Sequence, residues 1–278
     1  MRDRLVELIR SAATDLPADA ESALKKARRR ESGLAREALD TILENARLAR
    51  ARGRPICQDT GTPIFYVTAP VGSDLARMRE EIVEAVREAT LSVPLRPNAV
   101  DPFSGRNSGD NTGAGFPVVH FGQWGKRKIR FELMLKGGGS ENVTQLYRLP
   151  DTSIGAGRDI KGVRRCVLDA LFKAQGKGCP PYVVGVGVGG LADDAVSLSK
   201  RQLMRPIGDA NEDALLRRLE RCLLKDINAL GIGPMGFGGK TTALAVKVAG
   251  HHRNPPSYFV AVSFMCAACR RRAVEVKL

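Results

Sequence analysis

Nowhere in its 278 residues does this chain carry an uninterrupted apolar run near 20 residues, so no transmembrane span is predicted. Its first residues, Met1-Arg-Asp-Arg-Leu-Val-Glu-Leu8, break every short apolar stretch with charge and lack the apolar core of a signal peptide. The expected location is therefore the cytoplasm. Aromatic residues are scarce, at 5%, which leaves few platforms on which nucleic-acid bases stack. The three histidines, His120, His251 and His252, do not supply the second ligand pair that Cys266-Ala-Ala-Cys269 would need for a zinc site. Internal repeats, low-complexity segments and a clear linker are missing as well.

What is present points to an ordinary globular chain with an unusual charge. A hydrophobic fraction of 43% suffices for a full core, in one large domain or two small ones. The net charge of +14 is concentrated most densely in Lys25-Lys-Ala-Arg-Arg-Arg30. That run reads as a solvated helix face, since no aromatics interleave with it. A positive excess also attracts a small dianion. Six cysteines in a cytosolic chain read as ligands or buried thiols before disulfides.

Apolar spacing predicts helices over the first fifty residues, with stripes at Leu5, Leu8, Ile9 and Ala12, and at Leu34, Ala38, Ile42 and Ala46. Pro17 marks a boundary between helices and Gly53 an end. Pro63–Thr68 has strand composition, and Ser73 is expected to cap a helix reaching about Thr90. A long loop rich in Gly, Asn and Pro spans Pro94–Phe116, and long ordered loops are often functional. Val118–Phe121 and Ile129–Leu135 read as strands paired around a turn at Gly122–Lys128. Helices follow at Asp159–Gln175, Leu191–Leu203 and Glu212–Leu230, and strands at Tyr182–Val188, Ala243–Val248 and Tyr258–Met265. The expected class is mixed α/β in a single domain, 1–278, with a helical amino-terminal lobe (1–54) before a mixed sheet flanked by helices (55–278).

Three separate stretches each set a cysteine at a loop or strand end: Cys57-Gln-Asp-Thr-Gly-Thr62, Cys179-Pro-Pro-Tyr182 and Met265-Cys266-Ala-Ala. Each cysteine alone reads equally well as a small buried apolar residue. Three thiolates converging from separate loops, however, can hold an iron–sulfur cluster by three of its four irons and leave the fourth as a Lewis acid. Cys166 and Cys222 fall among apolar helix positions and are expected in the core. Cys269 is expected to be incidental.

These cysteines share the chain with Lys136-Gly-Gly-Gly-Ser-Glu-Asn142, Gly185-Val-Gly-Val-Gly-Gly190 and Gly236-Phe-Gly-Gly-Lys-Thr-Thr242. In that order the set resembles the alpha subunit, or amino-terminal domain, of the iron–sulfur-dependent class I fumarases and L-tartrate dehydratases, from about Ile56 to Arg271. The resemblance implies a [4Fe–4S] cluster on Cys57, Cys179 and Cys266. It also implies a hydro-lyase acting on a small dicarboxylate, fumarate to (S)-malate or, alternatively, L-tartrate to oxaloacetate. Asp59 would exchange a proton with the substrate hydroxyl, although Asp59 before Gly61 also reads as an Asx turn. Gln58, Arg96 and the backbone of Gly137, Gly138 and Gly139 would bind the substrate. The base acting on carbon would come from a separate beta subunit in an α2β2 assembly, the tail from Arg272 to Leu278 being too short to fold as a domain. No nucleic-acid or membrane partner is expected; the competing class is a basic, non-enzymatic cluster-binding or nucleic-acid-associated scaffold.

Two look-alike motifs are set aside. Gly185–Gly190 fits GxGxxG, but its glycines alternate with valines as though still within a strand; glycine there would let a ligand or cluster approach the backbone. Gly239-Lys240-Thr241 resembles a phosphate-loop lysine, but Pro234 stands where the first glycine is required.

Overall fold

A computed structural model describes residues 1–277. In chain order the elements are α1 (Arg2–Thr14), α2 (Ala18–Arg28), α3 (Gly33–Arg52), β1 (Thr62–Pro70), α4 (Leu75–Ser92), β2 (Val118–Trp124), β3 (Lys128–Lys136), α5 (Gly138–Asn142), β4 (Gln145–Arg148), α6 (Ile160–Ala174), β5 (Tyr182–Val188), α7 (Ala192–Gln202), α8 (Ala214–Ala229), β6 (Ala243–Gly250), β7 (Phe259–Met265) and β8 (Arg271–Lys277). The mixed α/β class read from the sequence is the class observed, with its strands divided between two sheets. No helix among the described residues is long and apolar enough to cross a membrane. The chain separates into two compact units: residues 1–17, 44–138 and from Arg270 onward form the first, and 18–43 with 139–269 the second.

In the first unit the sheet order is β2-β1-β3-β8, with β1 parallel to β2 and antiparallel to β3. Register sets Phe65 opposite Leu133 and Val67 opposite Phe131, all four on one face. Leu5, Ile9 and Ala12 of α1 and Ile82, Ala85 and Val86 of α4 bury their stripes in the same core. Each fully buried Leu, Ile or Phe stabilises by roughly 1.5–3 kcal/mol. Asp74, not Ser73, begins α4: its carboxylate accepts from the Arg77 N–H at 2.9 Å. The sequence also paired β2 with β3, whereas β1 lies between them. The segment Pro63–Thr68 offers apolar residues at successive positions, and Phe65 and Val67 take it to the centre of the sheet. The tail is also not unstructured, because Arg271–Lys277 adds to the edge of β3 as β8; Leu278 lies outside the described residues.

The second unit holds the sheet β4-β7-β5-β6, with β5 parallel to β6 and antiparallel to β7. Val184 and Val186 join Val163, Val167, Leu223 and Ile227 of α6 and α8 in one core. On the other face, a Cβ at Gly185 or Gly187 would stand 2.1 Å from the Ser199 carbonyl or 2.2 Å from that of Ala195. Gly185 and Gly187 therefore admit helix α7, not a ligand, against the strand. Cys166 lies in the core as expected, and burial pushes its thiol up to about 12. Cys222 does not: it is exposed, because the buried stripe of α8 runs through Leu219, Leu223 and Ile227 and leaves position 222 outside it. Leu34 is likewise exposed, while Ala35, Ala38 and Leu39 are buried. On α2, Ala20, Leu24 and Ala27 are buried while Lys25 and Lys26 are exposed, so the basic run is a solvated face.

One buried polar cluster belongs to the second unit. The Lys247 ammonium, 2% exposed, binds the Asp209 carboxylate and, at 2.8 Å, the Asp209 carbonyl. Arg205 bridges Asp209 at 3.0 Å and Glu220 at 2.7 Å, and Glu220 also accepts from Asn211 and the Val248 N–H.

Candidate functional site

The first-unit part of the site is built around the segment from Cys57 to Thr62, between α3 and β1. Ile56 anchors it: its N–H donates to Ala13 at 2.8 Å and its carbonyl accepts from the Asn45 amide at 2.7 Å. Cys57 follows immediately and is exposed, as is Gln58. Asp59 is half-buried and held at three atoms. Its Oδ1 accepts from the Gly61 N–H at 3.0 Å, which is the Asx turn anticipated for it, and its Oδ2 accepts from the Gly138 N–H at 2.7 Å. Its carbonyl accepts from the Arg270 guanidinium.

Lys136-Gly-Gly-Gly-Ser140 is not an open turn. Lys136 ends β3 as a buried residue, and the backbone enters the short α5 at Gly138. A Cβ at Gly137 would stand 2.9 Å from Arg270 Nη2 and 3.1 Å from Asp59 Oδ2, so only glycine admits both groups there. Gly138 already gives its N–H to Asp59. Gly139, in the second unit, faces the Lys177 carbonyl.

The long loop before β2 is fastened to the cysteine segment at the Thr60 hydroxyl and the Gly61 carbonyl, the latter accepting from the Asn98 amide at 3.3 Å. Thr60 Oγ1 accepts from the Arg96 N–H at 3.1 Å and contacts the Asn98 amide at 3.3 Å. Buried Asn111 accepts from the Asn98 N–H and donates to the Arg96 carbonyl. The backbone of Arg96 is thereby fixed while its side chain is left exposed. Asp110 caps the far end of this loop, accepting from Thr112 and from Arg87 at 3.0 Å. Burial opposes its ionisation, but these donors outweigh burial and hold the carboxyl at about 2.

In the second unit the cysteine loops sit at one end of the sheet. Cys179 precedes β5 and Cys266 follows antiparallel β7, and the Ala267 N–H donates to the Cys179 carbonyl at 3.0 Å. Cys179 adopts φ 60°, a left-handed conformation that non-glycine residues take at a cost, and its side chain is exposed. Buried Tyr182 holds the preceding turn: its hydroxyl donates to the Gln175 carbonyl at 2.8 Å and accepts from Gly178 at 3.1 Å. Burial first, then the Cys179 and Cys266 thiols, raises the pKa of that phenol. The Gly236–Thr242 motif supports the same loop. Met235 donates to Pro180 at 2.9 Å, buried Thr242 accepts from Gly233, and its carbonyl receives the Tyr182 N–H. Cys266 is partly exposed and Cys269 fully buried.

In the first unit the structure gathers Asp59, Gly137, Gly138 and the Arg96 backbone around the Cys57–Thr62 segment, and in the second a backbone hydrogen bond joins the Cys179 and Cys266 loops. Among the described residues no three His, Cys, Asp or Glu side chains form a ready metal site by themselves. The donor chemistry nonetheless suits iron–sulfur ligation: in the second unit Cys179 and Cys266 offer two accessible thiols on hydrogen-bonded loops, and in the first Cys57 is an exposed thiol. Thr60, Asn98, Asn111 and Arg270 were missed in the sequence. The basic run Arg270-Arg-Arg272 directly behind the CxxC was the one available signal.

Comparison with known proteins then supplies a context for this geometry. The family model described as fumarate hydratase (Fumerase) matches residues 2–275. A Geobacillus stearothermophilus protein named "Putative fumarate hydratase class I" is 45% identical over 99% of this chain, which spans 54%, about half, of that relative's length. A Methanocaldococcus jannaschii protein named "Putative L(+)-tartrate dehydratase subunit alpha" is 40% identical over 99% of this chain and 97% of its own length. The L(+)-tartrate dehydratase subunit alpha of Escherichia coli K12 is 33% identical over 95% of this chain and 86% of its own.

Proposed function

We propose, since the chain belongs to the fumarate hydratase (Fumerase) family, that it is the alpha subunit of an iron–sulfur hydro-lyase that adds water to, or removes it from, a small dicarboxylate. Fumarate to (S)-malate is the reaction favoured. The observation that carries this reading is that the three motif cysteines all reach solvent from loops, two of them on loops tied by a backbone hydrogen bond. A [4Fe–4S] cluster on Cys57, Cys179 and Cys266 would supply a Lewis-acidic iron for the substrate hydroxyl.

The rest falls to the chain's own side chains. Asp59, restrained at both carboxylate oxygens and its carbonyl, exchanges a proton with the hydroxyl. Arg96 binds a substrate carboxylate with its two-pronged guanidinium, and Gln58 donates a further hydrogen bond. The backbone of Gly137, Gly138 and Gly139 lines the same site. Positive charge draws the dianion in. A separate beta subunit completes an α2β2 enzyme in the cytoplasm, provides the base that acts on carbon and excludes water from the developing anion. The chain itself is one family domain, 1–278.

L-Tartrate to oxaloacetate is the second reading, favoured by the 97% coverage of a relative that bears a tartrate dehydratase alpha name. The test is anaerobic reconstitution with iron and sulfide, followed by assay of fumarate, malate and L-tartrate with and without a beta subunit. Turnover of one diacid only with the partner is the expected result. A cluster with four fixed ligands and no turnover of any of the three would overturn the reading in favour of a non-enzymatic scaffold.

A further inference from the structure

Arg270 is a buried cation that forms no ion pair among the described residues. It is 3% exposed, in the first unit, at the residue before β8. One guanidinium nitrogen donates to the Asp59 carbonyl, a second lies where a side chain at Gly137 would stand, and Nε has no hydrogen-bond partner. Burying a charge is expensive unless paired, and an unsatisfied buried donor requires a reason. The carbonyl is a neutral acceptor that a smaller donor would satisfy, and the close approach at Gly137 is a constraint that Arg270 imposes and does not relieve.

We infer that Arg270 is a positioning residue for Asp59, holding the Asp59 peptide so that the carboxylate keeps its place between the Gly61 and Gly138 N–H groups. The argument is geometric. An aspartate fixed only by its two carboxylate oxygens can still swing with its backbone, because both donors belong to glycines. Clamping the carbonyl removes that freedom. The planar guanidinium reaches from the carbonyl to the space over Gly137 in one rigid fork, which a flexible lysine does not reproduce. The consequence for chemistry rests on the proposed role of Asp59, since misplacing a reacting group by about 1 Å costs on the order of a hundredfold in rate.

The test uses the reconstituted enzyme with its beta subunit for kinetics and the chain itself for hydrogen exchange. Arg270→Met is expected to lower kcat by about 10- to 100-fold while KM stays within about twofold. The double variant Arg270→Met/Asp59→Asn should be no slower than Asp59→Asn alone, because both changes disable one unit. Amide exchange at Gly61 and Gly138 should rise by at least about tenfold, with β1 and β3 unchanged. Arg270→Lys, which keeps a single donor, should recover part of the kcat and part of the protection; it carries the test alone if Arg270→Met does not fold. Additive losses in the double variant, or exchange rising evenly through the sheet, would overturn the inference. If the wild type turns over no diacid, the exchange measurement still decides the positioning while the functional reading falls separately.

Discussion

Lys247 and Arg270 are buried to the same depth, 2% and 3% exposed, yet their surroundings are opposite. Around Lys247, Asp209, Arg205, Glu220 and Asn211 close every charge on another. Around Arg270 there is a carbonyl, a glycine and an unpartnered Nε. A closed network fixes loop 203–213 to β6 and serves the fold. An open valence beside an aspartate and a cysteine segment marks a place where the fold has left bonding capacity unspent. The contrast sets a charge closed within the fold against one left open beside Asp59.

The largest effect expected lies on the site side. Replacing Cys57, Cys179 or Cys266 by Ser should each abolish the visible absorbance of a reconstituted cluster, whereas Cys166→Ala, Cys222→Ala and Cys269→Ala should retain it. Cys222 is the sharpest control, because it is exposed like Cys57 and lies on a helix away from the motif loops. A full cluster in Cys179→Ser would break the ligand assignment.

Next comes the acid–base residue. Asp59→Asn keeps the shape and one of the two N–H acceptors, its amide NH2 meeting the other donor, so the cluster should persist while kcat falls by at least about two orders of magnitude. Near-native kcat would reduce Asp59 to its Asx turn. Lys247→Met should show the reverse pattern, losing about 1–3 kcal/mol of stability in urea titration while kcat of the surviving enzyme stays unchanged. A kcat loss there without a stability loss would erase the distinction between the two buried cations.

How legible this was depends on the range of the interactions. Helix stripes such as Leu5, Ile9 and Ala12 are local patterns and survived folding. The loop ends bearing Cys57, Cys179 and Cys266 were also placed correctly, because glycine or proline flanks the first two and an apolar strand run ends just before the third. Pairing was harder: β1 lies between β2 and β3 through contacts 54 to 74 residues apart, which no local pattern records. The glycines of β5 looked like a ligand's approach and admit α7 instead, since sequence does not say which neighbour fills the space. Arg270 was unreadable for the same reason, as its partner Asp59 is 211 residues away.

The smallest effect concerns the loop that carries Arg96. Asp110 holds this loop to Arg87 of α4 and to Thr112, and its carboxyl is held at about 2 against burial. A carboxyl whose folded value lies below the unfolded value of about 3.9 stabilises the folded state fully above that unfolded value. That contribution fades as pH falls from about 3.9 and is gone below about 2, when both states bind the proton. Asp110→Asn removes the ionisable group, so the variant should be less stable than wild type at pH 6, closer to it at pH 3.5, and nearly equal at pH about 2. Urea midpoints at these pH values measure the difference directly. A gap that stayed constant from pH 6 to pH about 2 would show that Asp110 acts by shape and not by charge, and the loop would join the Lys247 cluster as scaffold.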